Sequence, residues 1–170
     1  MKQFSKLFFI SVGMLLFASS AFAQVTASAT ATATIVTPIA ITKDVDMNFG
    51  NLAVNASVGT VVITPAGTRS ATGGVSFLAA TPGTITAASF TVTGLAAATY
   101  SITIPSAALT ISSGANNMTV DTWTSTPTPT GTLTGGTETL TVGATLNVGA
   151  SQAAGTYTSP TPFDVTVNYN

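Results

Sequence analysis

The chain has 170 residues, of which 45% are hydrophobic and only 5% are charged, and its formal net charge is −1 at pH 7. With four Lys or Arg in total, it cannot neutralise a run of phosphates, which argues against nucleic acid or an anionic membrane surface as partner. The absence of His and Cys removes Ser-His-Asp and Cys-His catalysis, the usual zinc sites and disulfide staples. We therefore expect no enzymatic activity, no cofactor and no metal site.

The first 23 residues have the three parts of a secretory signal peptide. Lys2 and Lys6 give a positive start, residues 7–17 form an apolar run, and the small-residue sequence AFA precedes Gln24. This pattern predicts cleavage before Gln24 and export to the periplasm, the cell surface or the medium. The remaining residues, 24–170, suit a single domain with its own core, and none of their stretches predicts a transmembrane helix.

The segment after the predicted cleavage site alternates strictly. In residues 24–36, QVTASATATATIV, Thr and Ser share one face, and the other face carries Val25, Ala27, Ala29, Ala31, Ala33 and Ile35. Successive side chains of a strand point to opposite faces, so the alternation predicts a β-strand. Its inward face is mostly Ala, whose burial contributes little. We expect this strand either to pack where backbones approach closely or to lie in a shallow groove, and it is a candidate donor strand that leaves its own domain.

The rest of the chain lacks helical periodicity, and runs rich in Thr and Val are broken by Gly, Pro and Asn. Such a pattern predicts an all-β sandwich or barrel of short strands, with no significant helix after the signal peptide. With the N-terminal segment included, the predicted strands are 25–36, 39–42, 60–64, 74–78, 89–93, 99–104, 109–112, 118–123, 138–148 and 163–169.

Two connections stand out among these strands. The sequence GLAAA at residues 94–98 predicts a hairpin between its flanking strands. The sequence STPTPTGTLTGG at residues 125–136 predicts an exposed loop, because alternating prolines remove backbone donors and glycines permit sharp turns.

Candidate chemical sites are few. Asp44, Asp46 and Asn48 resemble the start of a calcium loop, but the pattern fails further on, and an alternating strand with a polar edge that ends in a Phe-Gly bend fits the residues better. Glu138 and Asp164 pair as glycosidase carboxylates only if the fold brings them together. Three aromatic residues fit either a sugar-stacking platform or ordinary packing. They are Tyr100, Trp123 and Tyr157.

The C-terminal sequence PFDVTVNYN is a clean period-2 strand. Its apolar face carries Phe163, Val165, Val167 and Tyr169, and polar residues alternate with them. Such a strand needs another element to cover its apolar face and its edge.

Several stretches together resemble the secreted bacterial domain-of-unknown-function family 4402. They are IVTPIAIT, DMNFGNL, GTVVITPAGT, ASFTVTGLAAATYSITIP, LTVGATLNVG and AGTYTSPTPFDVTVNYN, and they cover nearly all of residues 24–170. No activity is attached to that family, so the resemblance implies placement more than mechanism.

The ending is also similar to chaperone–usher pilins and their spore-coat-protein-U-like relatives, through Gly155, Tyr157 and the alternating strand with its penultimate Tyr169. That resemblance implies an immunoglobulin-like β-sandwich that lacks its last strand. In that group, a periplasmic chaperone fills the gap first, and the N-terminal segment of the next subunit then replaces it, so the resemblance implies a chaperone or another copy of this chain as partner.

Three functional hypotheses follow. The leading one is a non-enzymatic exported subunit of a fimbria-like or other surface assembly, joined by strand complementation. In this hypothesis, the apolar residues of 163–169 line a hydrophobic groove, and residues 25–35 of a neighbouring copy insert into such a groove as a strand. The second is a monomeric secreted module that binds glycan or protein. The third is a small outer-membrane β-barrel of about eight strands.

Overall fold

The computed structural model describes residues 23–170. The predicted signal peptide therefore lies, apart from Ala23, outside the described residues. Of the described residues, 23–34 belong to one unit, and Ile35–Asn170 form a second, compact unit that contains all the strands described here. No helix in the described part of the chain is long and apolar enough to cross a membrane.

The described residues form an all-β sandwich, as the sequence predicts. The strands are Ala40–Val45 (β1), Leu52–Ile63 (β2), Arg69–Phe77 (β3), Ala88–Thr93 (β4), Thr99–Thr103 (β5), Leu109–Ser113 (β6), Asn116–Thr126 (β7), Thr130–Thr132 (β8), Thr137–Val148 (β9) and Thr166–Tyr169 (β10). Between residues 23 and 170, the helical content is a single 3₁₀ turn at Thr134–Gly136. The immunoglobulin-like sandwich prediction is confirmed at this level, with two antiparallel sheets.

The large sheet is built around β9. One edge of β9 pairs with β4 through residues 137–142 and with β2 through residues 144–148, while β7 pairs along its other edge. Outside these, β1 pairs with β4, β3 with β2, and β6 with β7. Because β9 alternates, five of its side chains point inward and are almost fully buried. They are Leu140, Val142, Ala144, Leu146 and Val148.

The small sheet consists of β10, β5 and β8, in that order. Its inward residues Tyr100 and Val167 pack against β4 and the first half of β9, in what we call the first cluster. The second cluster lies under the other half of β9 and includes Val61, Val120 and Leu146. None of the described residues of the second cluster comes from the small sheet. The second layer of the sandwich therefore covers only half of the large sheet.

The prediction of a hairpin at residues 94–98 is wrong. Here β4 belongs to the large sheet and β5 to the small sheet, so the connection crosses between layers. Its backbone groups bond to another segment: Gly94 N–H donates to Gly136 C=O at 3.0 Å, and Ala97 N–H donates to Leu133 C=O at 2.8 Å. Partners distant in sequence thus decided the path of a loop whose composition fits a hairpin.

The predicted loop 125–136 contains the short strand β8, which pairs with β5. Gly131 is the middle residue of β8, and a Cβ there would collide with the ring of Tyr100. The sequence does not predict this strand, because its central residue is a glycine. That glycine allows the Tyr100 ring to approach closely, but it has no side chain that could show alternation.

The N-terminal segment (residues 24–36) is not in a strand: residues 23–39 carry no regular secondary structure in this chain. Strand identity requires a backbone partner, and residues 24–36 pair with no strand among the described residues. Its donor role stays a prediction.

Candidate functional site

An apolar cleft of about 950 Å³ lies over the second cluster, where the small sheet does not reach. Its floor is the inner face of β6, β7 and β9. The floor side chains are Leu109, Ile111, Met118, Val120, Trp123, Leu146 and Val148. Two walls stand on this floor, residues 45–54 and residues 152–163. The cleft is thus the part of the sandwich interior that has a floor and sides but no covering strand.

The first wall turns sharply at Phe49-Gly50, part of the DMNFGNL stretch. Gly50 has a φ of +74°, and its N–H donates to Asn48 Oδ1 at 2.9 Å. Arg69 Nη1 donates to the Phe49 carbonyl at 2.6 Å, while the guanidinium carbon lies 3.8 Å from the centre of the Phe77 ring. These contacts fix the wall and direct Phe49 toward the second cluster.

The three residues that resemble the start of a calcium loop are engaged in structural contacts. Asp46 accepts an ion-pair contact from Lys43 at 2.7 Å, Asp44 accepts a hydrogen bond from Thr91 Oγ1 at 2.8 Å, and Asn48 holds the Gly50 turn. Within residues 23–170 there is no group of three or more Asp, Glu, His or Cys able to hold a metal ion.

The second wall is held by Tyr157 and by a bridge to β6. The Tyr157 hydroxyl donates to the Ala153 carbonyl at 2.7 Å and accepts from Gln152 Nε2 at 2.8 Å. Ser112 and Thr158 exchange backbone hydrogen bonds of 2.9 and 3.1 Å. A Cβ on Gly155 would collide with Ser113 Oγ. Gly155 and Tyr157, which the sequence singles out, thus shape the wall of the cleft.

Two prolines stop the pairing that begins at this bridge. Ser112 faces Thr158 in antiparallel sense, so a continued ladder would place Pro160 opposite Thr110. Proline has no N–H to donate, and Pro162 repeats the interruption two residues later. Beyond Ser112, the outer edge of β6 has no ladder partner among residues 23–170. Although the alternating pattern starts earlier, β10 begins at Thr166, and its register with β5 would place Asp164 opposite Pro105, which has no N–H to donate.

The predicted groove residues of the C-terminal strand pack into the first cluster. Phe163, Val165, Val167 and Tyr169 alternate with exposed residues, as the pattern predicts, and contact that cluster from the second layer. Of the four, Phe163 also lines the cleft, where its ring lies 4.6 Å from Trp123 and 6.4 Å from Phe90, centre to centre.

The Tyr169 hydroxyl joins three segments. It accepts a hydrogen bond from Leu95 N–H at 2.6 Å and donates one to the Thr37 carbonyl at 2.8 Å. The penultimate tyrosine therefore fixes the crossing loop and the residues just before β1. β10 itself pairs with β5 on one edge, and no strand in the described range pairs with its other edge.

The apolar face of the N-terminal segment is exposed. Val25 is 92% exposed and Ile35 is 99% exposed, and every residue from 23 to 38 is exposed.

The three aromatic residues proposed as a sugar platform do not act alike. Tyr100 is fully buried, so its ring face is not available to a ligand. Burial above all, and then the neighbouring Glu138 carboxylate, raises the pKa of the Tyr100 hydroxyl above its usual range. Trp123 and Tyr157 both line the cleft, and the Trp123 indole N–H donates to the Ala107 carbonyl at 3.1 Å. The Glu138 carboxylate accepts the Thr132 N–H at 2.7 Å and so supports β8.

Sequence reasoning missed most residues of the cleft, including Met47, Phe49, Leu52 and Met118. The sequence does contain a pattern that marks some of them as apolar strand residues: Met47 and Phe49 alternate with polar or small neighbours, as do Met118 and Val120. That alternation tells which face is apolar and does not tell whether another element covers it.

Comparison with known proteins gives a placement. A family profile described as "Domain of unknown function (DUF4402)" matches residues 39–169, from just before β1 to the end of β10. No curated protein matches the chain, and no solved structure matches it. The matched range contains the cleft and leaves out the N-terminal segment.

Proposed function

Because this chain belongs to the DUF4402 family, whose description assigns no activity, we propose its function from its own geometry. It is a non-enzymatic, exported structural subunit whose copies assemble at the cell surface by β-strand complementation. The observation that carries this proposal is the incomplete sandwich, which has an apolar cleft that no strand of the second layer covers and strand edges without partners in the described residues.

The second support is the N-terminal segment itself. A strand pattern with an exposed apolar face is stabilised when another chain supplies the sheet that it lacks. Residues 24–36 also lie outside the range that the family profile matches, as expected of an appendage to a common domain. A chain that carries both an unpaired strand pattern and an incomplete sandwich can bind a further copy of itself.

The composition supports a role in assembly more than one in catalysis. His and Cys are absent from the sequence, and the acidic residues Asp44, Asp46 and Glu138 are engaged in structural contacts. With 5% charged residues, the surface carries little like-charge repulsion between copies.

The test compares two purified proteins, residues 24–170 and residues 34–170, by size-exclusion chromatography with light scattering. We expect the longer protein to form a ladder of oligomers and the shorter one to be a monomer. The shorter protein should still fold, because the deleted residues are exposed and form no ladder in the chain. The assembled longer protein should unfold at a higher temperature, because association stabilises the folded state.

The opposite result contradicts the proposal. If the longer protein is a stable monomer and the deletion unfolds it, residues 24–33 complete their own domain and the chain does not polymerise through them.

The alternative function, a monomeric binding module for glycan or protein, is favoured by one observation. The cleft volume of about 950 Å³ lies within the usual range of ligand pockets, about 300–1,000 Å³. This alternative would be favoured if the protein is a monomer and one glycan from a panel raises its melting temperature. The replacement of Trp123 by Ala should then abolish that rise.

A further inference from the structure

We infer that the natural occupant of the apolar cleft is residues 24–36 of a second copy of this chain. This inference rests on the proposed function and names the acceptor surface for it. The acceptor differs from the groove that the C-terminal residues predict, because Val165, Val167 and Tyr169 are already packed in the first cluster.

The first argument is complementarity of size. The cleft is lined by large side chains, among them Phe49, Met118 and Trp123. Close packing needs small residues opposite large ones. Four of the six residues on the apolar face of residues 24–36 are Ala, with Val25 and Ile35 at the two ends. A donor strand with bulky residues throughout would compete for space with side chains that already project from the floor and walls.

The second argument is charge. Lys43 and Asp46 are the charged residues that line the cleft, and they neutralise each other in an ion pair of 2.7 Å. Residues 24–42 contain no charged side chain. An uncharged strand can therefore enter without leaving a buried charge unpaired, which is costly.

The same balance disfavours an anionic lipid or fatty acid. The cations of the described residues are Lys43 and Arg69. Lys43 is paired with Asp46, and Arg69 donates to the carbonyls of Phe49 and Asn51. A carboxylate or phosphate headgroup at the mouth of the cleft would find both cations engaged.

The third argument concerns the backbone. An inserted strand brings N–H and C=O groups that need partners. Beside the cleft floor, Pro160 and Pro162 leave the outer edge of β6 near Thr110 without a ladder partner in residues 23–170. This edge lies in the plane of the floor, at the rim of the cleft, and offers backbone groups to the part of the incoming strand that crosses the rim. The Thr face of that strand then points away from the floor.

Binding can be measured with the tryptophan that the chain supplies. Trp123 is the sole tryptophan of the sequence and lines the cleft. We would titrate the protein of residues 34–170 with a synthetic peptide of residues 24–37 and record the fluorescence of Trp123. Insertion should give a saturable blue shift, because the peptide removes water from the indole.

Two variant peptides provide a matched control. Ala29→Lys with Ala31→Lys places two charges on the apolar face, and Thr30→Lys with Thr32→Lys places the same charges on the polar face. We expect the first pair to weaken binding at least about tenfold and the second to change it little, because only the first pair buries its charges. Equal effects of the two peptides would overturn insertion by the apolar face.

Cross-linking then locates the acceptor. Because the sequence contains no Cys, no native thiol can form a competing disulfide. Two variants of residues 24–170 are mixed, one with Ala29→Cys and the other with Met118→Cys in the cleft floor. We expect a disulfide-linked dimer. A control partner with Thr72→Cys, on an exposed position of β3, should give none.

The outcomes separate this inference from the proposed function. If the protein assembles through residues 24–33 but Ala29→Cys cross-links with Asn168→Cys at β10 and not with Met118→Cys, strand exchange stands and the cleft is the wrong acceptor. A Met118→Cys, Ala29→Cys double variant that cross-links within one chain overturns the second copy as occupant. If no assembly occurs at any concentration, the proposed function fails.

Discussion

Gly50 shows how one residue shapes the cleft. Its φ of +74° belongs to the left-handed region that favours glycine. A Cβ at this position would lie 2.6 Å from the Pro82 carbonyl oxygen and 2.5 Å from Arg69 Nη1. The Phe-Gly pair therefore holds the first wall against the Arg69 side chain that fixes it.

We predict that Gly50→Ala lowers the free energy of unfolding by about 2–4 kcal/mol, through strain and collision together. Gly67→Ala is the matched control, since Gly67 has a φ of +77° and nothing within 4 Å of its Cβ position. It should cost only the conformational part, about 1 kcal/mol. Urea unfolding of both variants measures the difference, and equal losses would show that the collision does not matter.

Tyr100 is the buried titratable residue of the first cluster. It is fully buried, and its hydroxyl lies near the Glu138 carboxylate without meeting the geometry of a hydrogen bond. A buried hydroxyl without a partner costs free energy that an apolar ring avoids. Burial, followed by the Glu138 carboxylate, raises the pKa of this hydroxyl in the folded state.

We predict that Tyr100→Phe is neutral or stabilising by up to about 1 kcal/mol at pH 7. Above about pH 10 the unfolded wild-type tyrosine loses its proton before the folded one does, so stability falls as the pH rises. Urea unfolding from pH 7 to about 11 should show a smaller fall in Tyr100→Phe.

Tyr169→Phe provides the control for that experiment. The Tyr169 hydroxyl bonds to Leu95 and Thr37, so its loss should cost about 1–2 kcal/mol at pH 7. A Tyr100→Phe variant that loses as much at pH 7 would mean that its hydroxyl has a partner after all.

At the scale of elements, β9 runs through both halves of the sandwich. Leu140 (0% exposed) lies in the first cluster beneath the small sheet, and Leu146 (1% exposed) lies in the second cluster at the floor of the cleft. The two leucines are on the same face of the same strand. They differ in whether a second layer covers them.

We predict that Leu140→Ala destabilises residues 34–170 by about 3–5 kcal/mol and Leu146→Ala by about 2–3 kcal/mol. The cost of a cavity is larger where the surroundings cannot relax, and the neighbours of Leu146 face an open cleft. Urea unfolding compares the two in the monomer. Repeating it with the peptide of residues 24–37 bound should narrow the gap, and a wider gap would contradict insertion over Leu146.

At the scale of the whole molecule, the two layers are unequal. The large sheet has seven strands and the small sheet has three, so half of the apolar inner face depends on the two walls for cover. With 5% charged residues, the surface has few groups that repel another copy. Both features favour association between copies, so the oligomeric state is the property to measure first.

Much of the fold follows from local patterns. Residues 89–93, 109–112, 138–148 and the end of 163–169 alternate clearly, and each lies in a strand with the expected face inward. Side-chain alternation is a local consequence of extended backbone geometry, so it can be read without knowing the partner. The penultimate Tyr169 also packs inward, as its place in the alternation predicts.

Pairing and cover were decided only by the tertiary structure. The GLAAA stretch crosses between sheets because the groups at Leu133 and Gly136 take its backbone hydrogen bonds. The Ala-rich segment of residues 24–36 has the clearest alternation of all and forms no strand in this chain. A sequence determines which face of a strand is apolar, since that depends on neighbours along the chain. Whether another element covers that face depends on contacts between distant residues, which is why the cleft emerged only with the fold.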